Sequence, residues 1–161
     1  MRKFIAYLKE LFEFKNYKWI KKGVINVAKF ECIDTYYIHF DSIGCNAYNV
    51  YFYYQDLEGN KVFDLINAID NRSYKVLSNV KNCIEDFMKN NQVDFLGYSS
   101  YNKERNELYM LMLQNLQRID DIYTFKEVGK KCYYFLYKKE ISLESHLYVK
   151  RFLENDDKNK K

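Results

Sequence analysis

The chain has 161 residues, 48% of them apolar or aromatic and 30% charged, with no proline and only five glycines. That is enough chain for one domain with its own core, and it excludes disordered, collagen-like and proline-rich low-complexity classes. Net charge is +4, but residues 1–22 carry seven cations against Glu10 and Glu13, and residues 150–161 carry five against three carboxylates, so the middle of the chain is net acidic. A broad basic groove for nucleic acid is not expected, which leaves the basic first segment as the one candidate to face phosphates or an anionic surface.

Cys32, Cys45, Cys83 and Cys132 form no CxxC pair and neighbour no histidine cluster, so structural zinc is not expected. Free thiols and a cytoplasmic location are the expectation. The apolar residues after Met1-Arg2-Lys3 are interrupted by Lys9, Glu10 and Glu13, unlike the continuous run of a secretory signal, and no stretch of 18 apolar residues exists.

Phe4, Ile5, Leu8, Leu11 and Phe12 share one helical stripe, predicting a first amphipathic helix over 2–15, with Trp19 and Ile20 anchoring the link that follows. From Gly23 the period changes to two. Strands are predicted over 24–33, 35–42, 47–55 and 61–66, with Gly44 and Asn46 in one turn and Asp56 to Asn60 in the next. Val76, Val80, Cys83, Ile84 and Phe87 make the stripe of a helix that begins near Asp70 or Ser73 and ends at Asn90-Asn91. Val93 to Tyr98 reads as a short strand. Asn102 opens a helix carrying Arg105, Leu108, Tyr109, Met112 and Leu116 on one face, and Asp121–Val128 with Cys132–Lys138 closes as a hairpin around Gly129-Lys130. A last helix over 142–153 precedes a polar tail, 154–161, expected to be disordered. The fold class is therefore α+β: one domain over 1–153, with a mixed but mainly antiparallel sheet of six or seven strands flanked by helices.

The order meander, helix, strand, helix, hairpin, together with Asn102-Lys103-Glu104-Arg105-Asn106-Glu107-Leu108-Tyr109, resembles the GCN5-related N-acetyltransferase (GNAT) family over residues 47–138, and small GNAT-like proteins of bacteria and phages in particular. Asn102, Leu108 and Tyr109 fit the family pattern, whereas Arg105 replaces a small residue and Leu113-Gln114 stands where Gly-Phe is expected. The resemblance implies acetyl-CoA as cofactor and Tyr109 as the general acid that protonates the departing thiolate. It also implies that Gly97 lies where neighbouring strands splay around the cofactor arm, and that Arg72, Ser73 and Lys75 sit in the pyrophosphate turn. That turn needs glycines so that main-chain N–H groups can reach the phosphates. Here Lys75 and Leu77 hold the glycine places, so the loop is degenerate.

Other groups carry less. His39 and His146 stand in no metal or nucleophile motif, Glu85 and Asp86 are helix neighbours that do not face each other, and Cys45 reads as an apolar thiol. Tyr51, Tyr53 and Tyr134 offer stacking surfaces without interleaved cations. The expected function is a non-catalytic protein-binding or regulatory module that needs no cofactor, its partner another protein met through tyrosine-rich sheet faces. The alternative is an acyl-CoA-dependent N-acetyltransferase with a divergent loop, and a third reading makes residues 1–22 an adaptor on membrane or nucleic acid. An exposed strand edge allows a homo-oligomer. The deciding feature is the cleft between strands 61–66 and 93–98: a polar V leading to Arg72 favours the enzyme, and filling by Phe63, Leu65 or Phe95 favours the binder.

Overall fold

Period-two alternation between residues 25 and 55 produces three long strands. They belong to one eight-stranded sheet in a computed structural model that describes residues 15–63, 71–99, 112–114, 116, 123–128, 133–142 and 146–159. The elements are β1 (Lys18–Lys21), β2 (Ile25–Cys32), β3 (Asp34–Gly44), β4 (Ala47–Gln55), β5 (Lys61–Val62), α1 (Asn71–Asn90), β6 (Phe95–Ser99), β7 (Tyr123–Val128), β8 (Tyr133–Lys138) and α2 (Leu147–Asn159). The predicted first helix and residues 102–111 of the helix expected after β6 lie outside the described residues, while Met112–Gln114 and Leu116 are helical.

The sheet runs β1-β2-β3-β4-β6-β8-β7, with β5 paired to β4. All pairings are antiparallel except β4 with β6, which α1 connects as a crossover. β8 inserts between β6 and β7. The fold is thus α+β, with a mainly antiparallel sheet flanked by helices.

Alternation sorts the side chains onto two faces. Ala28, Phe30, Tyr36, Ile38, Phe40, Val50, Phe52, Leu96, Tyr98, Tyr134 and Leu136 form the larger core with the predicted α1 stripe, and every residue of that stripe is buried. On the opposite face Ile43, Ala47, Phe95 and Phe135 pack with Phe152 of α2. The C-terminal turn of α1 is closed by side-chain amides: Asn90 Nδ2 donates to Asp86 O and Asn91 Nδ2 to Phe87 O, at 2.8 and 2.9 Å.

Two expectations are corrected and a third, the turn at Gly44 and Asn46, is borne out. Lys18–Lys21, read as a link, is an edge strand whose Trp19 faces Ala28 across β2. The register shift between Trp19 and Lys21 interrupts the alternation that would have marked it. The last helix continues to Asn159, through most of the tail expected to be disordered, because Asp156 is buried and its Oδ1 accepts a 2.7 Å hydrogen bond from Ser99 Oγ. The β3–β4 turn places positive φ at Gly44, Cys45 and Asn46, two consecutive non-glycine residues with the hand a two-residue hairpin needs.

Candidate functional site

The residues singled out by the family likeness do not assemble into a cofactor site within the described part of the molecule. Tyr109 and Asn102 lie outside it. Arg72 and Ser73 lie within the first turn of α1, and exposed Lys75 and fully buried Leu77 continue the same helix. Positions 72–77 are therefore helical, with Arg72 and Ser73 in the first turn. Main-chain N–H groups beyond the first turn are committed to the helix ladder and point at no ligand. The segment before α1, residues 64–70, contains no glycine and carries Asp64 and Asp70.

Gly97 stands inside a regular parallel ladder. Ala47, Tyr48, Asn49 and Val50 pair in turn with Phe95, Leu96, Gly97 and Tyr98, so the strands do not splay at the glycine. Its missing side chain is explained by α2: a Cβ built there would lie 1.9 Å from Cδ2 of Phe152. The close approach expected at Gly97 is real, and the group that approaches is the protein's own phenylalanine ring.

Beyond Val50 and Tyr98 the two strands part. The same edge of β4 next meets β5 at Tyr54 and Gln55, which leaves Tyr51, Phe52 and Tyr53 without a strand partner on that side among the described residues. On the α2 face beside this gap, cross-strand register brings His39 opposite Tyr51 and Tyr37 opposite Tyr53. Tyr51 Oη lies 3.1 Å from His39 Nδ1, and His39 Nε2 lies 2.9 Å from Tyr53 Oη. A neutral imidazole has one donor and one acceptor nitrogen, so one tyrosine donates to the ring and the other accepts from it. The rings reinforce the chain: His39 stacks on Tyr51 with centroids 4.7 Å apart, and Phe63 packs against both tyrosines. Asp41 Oδ1 lies 3.8 Å from His39 Nδ1, too far for a hydrogen bond. Next along β4, Asn49 is 1% exposed. Neither atom of its carboxamide has a hydrogen-bond partner, and Asp41 Oδ1 is likewise buried and unpartnered.

Compared with known proteins, this chain matches no family model, no curated protein and no solved structure. The site therefore has to be read from its own chemistry.

Burial, reinforced by the Asp41 carboxylate and by Tyr53, pushes the Tyr51 hydroxyl far above the usual tyrosine range. Burial also raises Tyr53, with Tyr37 and Asp41 contributing. Both are proton holders near neutral pH. A raised folded-state value means that the native protein keeps protons the unfolded chain gives up, so stability is fully present below pH of about 10 and falls as pH rises beyond it. Alkaline unfolding followed by phenolate absorbance is expected to show Tyr51 and Tyr53 ionising together with the loss of structure, and Tyr53→Phe is expected to shallow the loss. A chain whose phenolates all appear before unfolding would contradict the arrangement.

Sequence reasoning set His39 aside because no motif surrounds it. The usable signal was parity: residues 37, 39 and 41 on β3 and 49, 51 and 53 on β4 fall on one face, opposite the large core. The tyrosines with a described environment divide between the core and half-buried positions. Tyr36, Tyr51, Tyr53, Tyr98 and Tyr134 are buried and Tyr17, Tyr37, Tyr48, Tyr54, Tyr133, Tyr137 and Tyr148 half-buried, with aromatic pairs such as Phe30 on Tyr36 and Tyr37 on Tyr53 satisfied within the sheet. A separate cleft of about 280 Å³ lies between the β1–β2 hairpin, at Trp19, Lys22 and Gly23, and the end of α1, at Asp86, Phe87 and Asn90. Tyr17 and Lys15 close on Asp86 there, the lysine at 2.8 Å. No group of three or more potential metal ligands occurs among the described residues.

Proposed function

We propose that this chain is a GNAT-like, cytoplasmic binding module that does not use acyl-CoA. The observation that carries the reading is the ring of Phe152 on Gly97: the position implied to admit the cofactor arm is filled by the C-terminal helix. Three features support it. Residues 72–77 are helix, the preceding segment has two carboxylates and no glycine, and Phe63 packs on Tyr51 and Tyr53 beside the gap. The strand order supports the family likeness itself: an antiparallel meander, a parallel step from β4 to β6, and β8 inserted between β6 and β7. A partner protein is the expected ligand of such a module.

An N-acetyltransferase is the second reading, and one observation favours it: the Tyr51–His39–Tyr53 chain, with the Asp41 carboxylate beside it and the unpartnered Asn49 carboxamide next along the strand, lies at an open edge of β4. Such a chain can pass a proton, and a buried unpaired amide is the kind of group a ligand satisfies. Calorimetric titration with acetyl-CoA separates the two. The binding-module reading expects no heat and no rise in Tm at millimolar cofactor, since a ligand that binds only the native state must stabilise it. Saturable heat with a rise in Tm would replace it by the enzyme reading. Affinity capture from the native host is expected to recover a stoichiometric protein, and its failure would count against the protein-binding reading.

A further inference from the structure

The end of the sheet at β1 is chemically unlike the rest of the molecule. Residues 15–30 hold five lysines and no acid, while the whole chain is only +4, so the remainder is net acidic. Lys18, Lys21 and Lys22 are exposed. Among them the β1–β2 hairpin exposes aliphatic side chains: Val24 is 77% exposed, Ile20 55% and Ile25 39%. The hairpin is held firmly from within. Trp19 turns onto Phe40 and Phe87, and Asn26 closes the turn by donating from Nδ2 to Gly23 O and accepting from Gly23 N through Oδ1. The carboxylates beside the hairpin are Asp86, paired with Lys15, Glu31, paired with Lys29, and Asp41, opposite Ile25, which leaves Lys18, Lys21 and Lys22 as its exposed cations. A turn held by its own hydrogen bonds thus carries aliphatic groups outward next in sequence to exposed lysines.

We propose that this hairpin end docks on an anionic lipid surface. Aliphatic side chains gain by entering the headgroup–acyl boundary, and lysines beside them gain from acidic headgroups. A nucleic-acid backbone would meet the same lysines but would leave Ile20, Val24 and Ile25 against phosphates with nothing gained. This inference goes beyond the binding-module reading and stands independently of it. No described helix is long and apolar enough to cross a membrane.

The test is sedimentation of the full chain with phosphatidylcholine vesicles, with and without phosphatidylserine, at low and high salt. Binding is expected only with phosphatidylserine and is expected to weaken as salt screens the lysines. Lys21→Gln combined with Lys22→Gln is expected to lower partitioning about 30-fold, and Val24→Asp about tenfold. Both variants alter exposed side chains, and unchanged melting confirms that each remains folded. Failure to bind phosphatidylserine vesicles, or unchanged binding by both variants, would overturn the proposal. Tight binding to a short DNA duplex that ignores Val24→Asp would overturn it as well and assign the lysines to nucleic acid.

Discussion

Gly97→Ala is expected to destabilise the protein by about 3 kcal/mol, as overpacking of a well-filled site does. The sign is informative. At an open strand position alanine is the better residue by about 0.5–1 kcal/mol, because glycine loses more backbone freedom on folding. Here the added Cβ would meet three atoms of the Phe152 ring at 1.9, 2.4 and 2.5 Å, so either the ring or the helix that carries it must move. Phe152 is fully buried among Ile43, Ala47, Phe95 and Phe135, which leaves the ring little room. Phe152→Ala alone is expected to cost about 3–5 kcal/mol. In that background the Gly97 substitution is expected to cost almost nothing, so the double-mutant cycle should return a large coupling. Denaturant unfolding of the four proteins measures it. A loss below about 0.5 kcal/mol for Gly97→Ala alone would show that the ring does not sit on the glycine.

Phe87→Ala is expected to have an effect of similar size, about 3–5 kcal/mol, for a different reason. Phe87 fastens α1 to the sheet: its ring stacks on Phe40 with centroids 4.2 Å apart, meets Tyr48 edge-on at 4.9 Å and approaches Trp19 at 6.1 Å. Removing it leaves a cavity bounded by aromatic rings that cannot collapse onto one another while they remain in the β1, β3 and β4 ladders. Trp19 is the only tryptophan, so its fluorescence reports this site alone. The variant is expected to show altered emission in the folded state and a Tm lower by about 10 °C. Unchanged emission would contradict the packing of Trp19 against Phe87.

The part of the fold legible in the sequence is the part where side-chain period and burial agree. Residues 36–41 alternate cleanly because β3 has a large core on one face only, β4 is legible from its β-forming composition although 49–53 are buried on both faces, and the α1 stripe is legible because five of its residues meet that core. β1 escaped because only Trp19 of its four residues packs inward and a register shift breaks the alternation. The end of α2 escaped because a single buried carboxylate, Asp156, anchors it to Ser99, and one polar contact leaves no periodic trace. The same distinction holds for the candidate site. Gly97 could be recognised as a point of close approach, but not what approached it, since Phe152 lies 55 positions away in the sequence. The His39–Tyr51–Tyr53 chain depends on which residue of β3 faces which residue of β4. Composition leaves that register open, and the two-residue turn at Cys45 and Asn46 fixes it only together with the register shift between Ser42 and Gly44, without which His39 would face Phe52.

The central claim is that the protein's own C-terminal helix occupies the place implied for an acyl-CoA arm. Amide chemical shifts recorded during titration with acetyl-CoA test it most directly. The account predicts that resonances of residues 71–77, 95–99 and 148–156 stay where they are throughout the titration. Saturable movement of the Gly97 and Phe152 amides, together with those of the first turn of α1, would contradict it.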